Sequence, residues 1–190
     1  TCEVTPHNLL LTKTDYEKIG IKAITIPPLR SKENSDALWD GINRNLVDCI
    51  GSDHAPHSIE DKESKNIWEV KAGIIGLETT LPLILTAVHR NQLTLQRAVE
   101  LLSEKPAEIF SLHDRGKIEP GKNADLIVID LNSKYKIDST KFQSKVKYSP
   151  FHGWEVKGKL ITTMVGGQIV FDEGTTAEKA GNIIVARGEQ

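Results

Sequence analysis

Asp53, His54 and His57 fall within five residues of one another in the run Gly51-Ser52-Asp53-His54-Ala55-Pro56-His57. This run directly follows the apolar stretch Val47-Asp48-Cys49-Ile50. A carboxylate at the carboxyl end of a buried strand can ligate a metal, accept a proton from a bound water, or do both. His57 lies beyond Pro56, which stiffens the turn, and is a second donor able to hold an anionic substrate. Taken alone, Asp and His beside Pro serve equally well as turn caps. The other histidines are His7, His89, His113 and His152, and no two form a His-x-His pair. His7 follows Pro6 in a loop and is able to line a site. His89 reads as a helix-end residue, and His113 and His152 as structural residues in turns. A catalytic zinc takes about three protein ligands. Asp53 is the one firm candidate here, so a complete metal centre is not visible. Gly73-Ile74-Ile75-Gly76 either presents backbone N–H groups to an anion or forms a tight loop into a helix. No phosphate-binding glycine loop, serine elbow or Cys-His pair is present.

The elements that must position these groups change character along the chain. Residues 1–12 read as a strand end followed by a loop, and residues 15–19 as one helical turn stopped by Gly20. Pro27-Pro28 forces an extended segment, because proline excludes the α conformation from the residue before it. Asn34 or Ser35 caps a helix through about residue 43. Residues 46–50 lack strict alternation and read as a strand buried on both faces, as in a parallel sheet. Residues 58–71 read as a polar surface loop. Leu77, Leu81, Ile84, Leu85 and Val88 then recur at helical spacing, with Pro82 admissible only in the first turn. Thr94 caps a second helix and Ser103 begins a third. From about residue 115, glycine and proline punctuate strand-like runs at 126–131, 135–137, 154–156, 159–165, 168–171 and 183–186. Gly166-Gly167 marks a hairpin between two of them. The pattern is α/β over residues 1–114 and β-rich over 115–190. Its first part suits a piece of a (β/α) barrel.

Composition narrows the function classes. A chain of 190 residues with 38% hydrophobic and 26% charged residues has the balance of a soluble globular protein of one or two domains. Net charge is −2 with both signs interspersed, which argues against a nucleic-acid footprint or a membrane-surface patch. No apolar run approaches the roughly 20 residues of a membrane helix. Thr1-Cys2-Glu3-Val4 is no signal peptide and lacks an initiating Met. Two cysteines do not make a disulfide framework, and the reading is reduced, buried thiols in a cytoplasmic protein.

Taken in order, these segments resemble the C-terminal half of the dihydroorotases, zinc-dependent cyclic amidohydrolases. The resemblance rests on Glu3-Val4-Thr5-Pro6-His7 with Leu9-Leu10-Leu11-Thr12, on Pro27-Pro28-Leu29-Arg30, and on Gly51-Ser52-Asp53-His54-Ala55-Pro56-His57. It continues through Gly76-Leu77-Glu78-Thr79, Lys105-Pro106-Ala107, Arg115-Gly116-Lys117-Ile118, Ala124-Asp125-Leu126 and Ser149-Pro150-Phe151 with Gly153-Trp154. It implies the C-terminal part of a (β/α)8 barrel plus a small β-sandwich, and reversible hydrolysis of dihydroorotate to N-carbamoyl-L-aspartate. Residues 1–12 would supply the seventh barrel strand and residues 46–51 the eighth. Asp53 would be the metal-bound carboxylate that takes a proton from the bridging hydroxide and gives it to the leaving nitrogen. His57 and the backbone of Ala72 and Gly73 would hold the substrate carboxylate.

Departures from the family accompany the resemblance. Its His-x-His pair, its bridging carboxylate or modified lysine and its two later histidines would lie upstream of Thr1. A binuclear zinc centre is therefore expected only with a missing N-terminal half, and the isolated chain is expected to be inactive. That half, or a homo-oligomer, is expected to cover the open edges of the barrel strands. Ile26 occupies the place of a substrate-contacting Asn, and Asn8 that of a second His. Residues 174–190 run past the usual end of the family and are expected to add a strand. Two other readings stand beside this one. The first is an allantoinase or hydantoinase type of cyclic amidohydrolase. The second is a non-catalytic relative that scaffolds aspartate transcarbamoylase.

Overall fold

The computed structural model describes residues 1–64, 66–177, 181 and 184. The expected strand at 183–186 therefore lies mostly outside the described residues. The chain opens with strand β1 (Glu3–Val4), which pairs in parallel with β2 (Cys49–Ile50), Glu3 opposite Cys49 and Val4 opposite Ile50. The predicted strand at 46–50 is thus shorter. Asn45 turns with φ 59°, Leu46 is exposed, Asp48 bonds only to Cys2 ahead of β1, and the ladder itself holds the last two residues.

Between these strands lie α1 (Pro6–Leu10), α2 (Tyr16–Ile19) and α3 (Lys32–Asn43). The expected loop after β1 is a helix instead. Thr5 caps it, accepting from the Asn8 N–H, and Pro6 sits in its first turn, where a missing N–H costs nothing. Gly20 stops α2 with φ 64°. Helix α3 begins at Lys32, ahead of the predicted cap, because Ser35 is engaged elsewhere. The Ser35 hydroxyl donates to the Leu9 carbonyl at 2.5 Å, and Trp39 Nε1 donates to the same oxygen at 3.1 Å.

Past β2, the expected surface loop contains α4 (Ile59–Lys62), closed by a capping box between Ser58 and Asp61. Helix α5 (Thr80–His89) carries the predicted apolar face with Pro82 in its first turn, although Leu77 lies outside it and is exposed. Thr94 caps α6 (Leu95–Val99) through its hydroxyl. The separate third helix is instead a continuation: a π-helical segment at Glu100–Glu104 leads directly into α7 (Lys105–Ile109). Pro106 has no N–H to close a regular turn onto Leu102, which accounts for the wider winding there.

Among the described residues that follow, the strands form one antiparallel sheet in the order β3 (Leu126–Lys136), β4 (Glu155–Val165), β5 (Gln168–Asp172) and β6 (Thr175–Thr176). Pairs of predicted runs merge into β3 and into β4. Gly166 and Gly167, with φ 56° and 80°, make the expected tight hairpin into β5. Two apolar cores result. The first gathers Val4, Leu9, Trp39, Ile42, Ile50, Ile84 and Leu101 around the parallel strands. The second joins Leu11, Leu29, Ile74, Ile75 and Leu83 to Ile137, Phe142, Phe151 and Val156, and so spans both halves of the chain. No helix among the described residues is long and apolar enough to cross a membrane.

Candidate functional site

The site forms where the carboxyl ends of β1 and β2 lie side by side. After Val4 the cap at Thr5 turns the chain at once, which places His7 in the first turn of α1, only 3% exposed. After Ile50 the chain passes Gly51, where a Cβ would lie 2.3 Å from the Glu3 carboxyl carbon. Asp53 then adopts a left-handed φ of 44° and presents its carboxylate 3.8 Å from His7 Nε2, with 48% of the Asp53 side chain exposed. Burial lowers the His7 pKa below its ordinary value, and the Asp53 charge offsets this only partly. The buried His7 imidazole, disfavoured in its charged form, thus stands beside a carboxylate open to solvent. The possible site-lining role of His7 in the sequence becomes direct proximity to Asp53.

His54 serves the backbone. Its Nδ1 accepts N–H groups from Gly76 at 3.1 Å and Leu77 at 3.3 Å, which assigns the ring proton to Nε2. A parallel bridge pairs His54 with Ile74, and the Ala55 N–H donates to the Ile74 carbonyl at 3.0 Å. Segments 52–57 and 73–77 thereby run together, closely enough that side chains are excluded at two places. A Cβ on Gly76 would sit 2.2 Å from the Ser52 carbonyl oxygen. One on Gly73, whose φ is +147°, would sit 2.3 Å from Ala55 Cβ and 3.3 Å from His57 Cδ2. Half-buried His57 is thus set against Gly73, with Ala72 next in the chain. The Gly73 N–H itself donates to the Ile24 carbonyl at 2.8 Å, so in this structure what Gly73 offers the corner is its missing side chain.

Three further histidines take structural partners. His89 Nε2 donates to the Leu131 carbonyl at 2.5 Å. His152 Nδ1 accepts the Ser139 N–H at 3.2 Å. The His113 carbonyl accepts from Lys122 Nζ at 2.8 Å. Both cysteines are free, and neither is buried as expected: Cys2 is exposed and Cys49 half-buried. Two residues that sequence reasoning passed over stand beside the site. Lys62 is fully buried, with Nζ 3.5 Å from the Ile24 carbonyl that also accepts Gly73, and burial lowers its pKa to about 8. Tyr148 donates its hydroxyl to the His57 carbonyl at 3.0 Å. The Ser58-x-x-Asp61 box announces the helix that carries Lys62, but nothing in the sequence announces either burial or the bond from Tyr148.

Among the described residues no three His, Cys, Asp or Glu side chains are grouped to hold a metal ion. Asp53 and His7 make a pair, short of the three protein ligands that a catalytic zinc takes.

Comparison with known proteins gives one consistent answer. The amidohydrolase family profile matches residues 1–170. The chain is 41% identical over 184 residues to an L-hydantoinase of Paenarthrobacter aurescens, covering 95% of this chain and 40% of that protein. It is 42% identical over 188 residues to a dihydroorotase of Pyrococcus furiosus, covering 98% of this chain and 43% of that protein. A dihydroorotase of Methanosphaera stadtmanae is 45% identical over 168 residues, 88% of this chain and 38% of that protein. The solved structure of the L-hydantoinase (dihydropyrimidinase) from Arthrobacter aurescens superposes with a TM-score of 0.91 at 40% identity, over 95% of this chain and 42% of that one. The chain spans about two fifths of the length of these relatives.

Proposed function

The chain belongs to the amidohydrolase family, and from that premise we propose that it is the C-terminal part of a metal-dependent cyclic amide hydrolase, a dihydroorotase. Its reaction is the reversible opening of the dihydroorotate ring to N-carbamoyl-L-aspartate, in the pyrimidine biosynthesis of the cytoplasm. Residues 1–114 form the last strands and helices of the (β/α)8 barrel, and residues 115–190 a β-rich domain beside it. The observation that carries the reading is the placement of Asp53. It stands at the carboxyl ends of two parallel strands, where barrel enzymes keep their catalytic groups, 3.8 Å from buried His7.

Zinc, bound through Asp53 and donors outside this chain, would supply the Lewis acidity that makes a water nucleophilic at neutral pH. Asp53 accepts the proton of the attacking water and returns it to the departing ring nitrogen, general base and then general acid at one carboxylate. Its carboxylate is open to the substrate, with the buried His7 imidazole beside it. His57, against Gly73, receives the substrate carboxylate, with the backbone of Ala72 and Gly73 lining the same corner. The N-terminal part of the same enzyme supplies the remaining metal ligands and covers the open edges of β1 and β2. Aspartate transcarbamoylase is a candidate partner of the whole.

One observation favours a second reading. Ile26, 81% exposed, cannot hydrogen-bond a substrate, and the L-hydantoinase relative is as similar as the dihydroorotases. Steady-state rates of the complete enzyme on dihydroorotate, hydantoins and allantoin test the assignment. Dihydroorotate is expected to give the highest kcat/KM, and a preference for a hydantoin or allantoin would replace the reading. The isolated 190-residue chain with added zinc is expected to turn over none of them.

A further inference from the structure

The segment between β3 and β4 reaches back to the site, and this contact has a consequence for substrate binding. Tyr148 lies on that segment, 7% exposed, with its hydroxyl 3.0 Å from the His57 carbonyl. The His57 N–H is held from the other side by the Ala55 carbonyl at 3.0 Å. Both peptide groups of His57 are thus engaged, and the half-buried ring lies where a side chain at Gly73 would meet its Cδ2 at 3.3 Å, so the missing Cβ leaves the ring its place. The segment is itself anchored. The Glu78 carboxylate accepts the N–H groups of Gln143 at 2.9 Å and Ser144 at 3.0 Å, while Phe142 and Phe151 are buried in the core that holds Ile74 and Ile75.

We propose that Tyr148 is a positioning residue for substrate binding, its hydroxyl holding the His57 carbonyl so that the imidazole stands ready beside Gly73. The inference rests on the reading of His57 as the contact to the substrate carboxylate. Tyr148 touches no reacting atom and acts only through His57. Burial raises its pKa to about 12, with Asp61 adding to the shift, so the hydroxyl keeps its proton and remains a donor at any working pH. The Lys22 ammonium lies 5.7 Å from the ring centre and steadies the ring without competing for the hydroxyl.

The test is a double-mutant cycle in the complete enzyme, with Tyr148→Phe, His57→Asn and the pair assayed on dihydroorotate and on a hydantoin that lacks the carboxylate. Tyr148→Phe removes one oxygen and keeps the packing. It is expected to raise KM for dihydroorotate roughly three- to tenfold, the effect of one hydrogen bond, with kcat and the hydantoin KM within about twofold. In the His57→Asn background the same change is expected to have no further effect on KM. An unchanged dihydroorotate KM in Tyr148→Phe, when His57→Asn raises it, overturns the positioning role alone. So does an equal loss on both substrates, or an effect that adds to that of His57→Asn. A His57→Asn enzyme with unaltered KM overturns the carboxylate reading and the Tyr148 proposal with it.

Discussion

Replacing Lys62 by Met should make the complete enzyme more stable at neutral pH and change how its stability depends on pH. Lys62 is fully buried, and among the described residues no carboxylate lies within ion-pair distance of its ammonium. Burial lowers its pKa from 10.5 to about 8. At 1.36 kcal/mol per pKa unit, keeping this group charged in the fold costs at most about 3 kcal/mol at pH 7. Methionine keeps the apolar stem and nearly the volume. It gives up one long hydrogen bond to the Ile24 carbonyl, worth about 1 kcal/mol, while that oxygen keeps the Gly73 N–H. The net expectation is a gain of about 2 kcal/mol at pH 7.

The sign of the pH dependence follows from the two proton affinities. Below pH 8 the folded and unfolded states both carry the proton, and the penalty is complete. Between pH 8 and 10.5 the unfolded chain binds more protons than the folded one, so the contribution of Lys62 to stability rises with pH. The advantage of Lys62→Met should therefore shrink by about 2 kcal/mol between pH 7 and 9.5. Thermal or urea midpoints of both proteins at the two pH values measure this, and the comparison cancels every other titrating group. Parallel pH curves, or a variant less stable at pH 7, would refute the reasoning and show that the ammonium has an anionic partner.

Asp53→Asn in the complete enzyme should lower kcat by about a hundred- to ten-thousandfold, as expected for an acid–base group, with the thermal midpoint nearly unchanged. A variant retaining most activity would remove Asp53 from proton transfer. Gly76→Ala should destabilise by about 2–3 kcal/mol, because its Cβ meets the Ser52 carbonyl oxygen at 2.2 Å, a backbone atom that cannot yield. Gly51→Ala meets only the end of the Glu3 side chain and should cost less than about 1 kcal/mol, so equal melting losses would contradict the contrast. Ile26→Asn should raise the kcat/KM ratio of dihydroorotate to hydantoin by about tenfold, the worth of one good polar contact. An unmoved ratio would mean that position 26 does not touch the ring.

The parts of this fold that were legible in sequence are those that local chemistry decides. Gly166-Gly167 fixed a hairpin, Thr94 a helix start, Gly20 a helix stop, and the spacing of Leu81, Ile84, Leu85 and Val88 a helix that buries Ile84 and Leu85 and half-buries the other two. Helix α1 was also announced, by Thr5 and Pro6, but is too short to show apolar periodicity. Residues 58–71 misled for the opposite reason. Their polarity reads as surface, yet Lys62 turns inward and meets a carbonyl 38 residues earlier in the chain. Asp53 and His57 stood out because their types and spacing are chemically dense. The work of His54 and Tyr148 did not, since each acts on the backbone of a segment distant in sequence.

The second apolar core has a bearing on how the molecule opens. Ile74 and Ile75, from the strip that carries Gly73, share it with Ile137, Phe142, Phe151 and Val156. Breathing of the β-rich part would therefore uncover the floor of the site in the same event. Amide protons of residues 74–76 and of the neighbouring sheet should exchange with solvent at a common free energy, as one cooperative unit. A lesion on the far sheet would then register as lost grip on the substrate before it registered as unfolding.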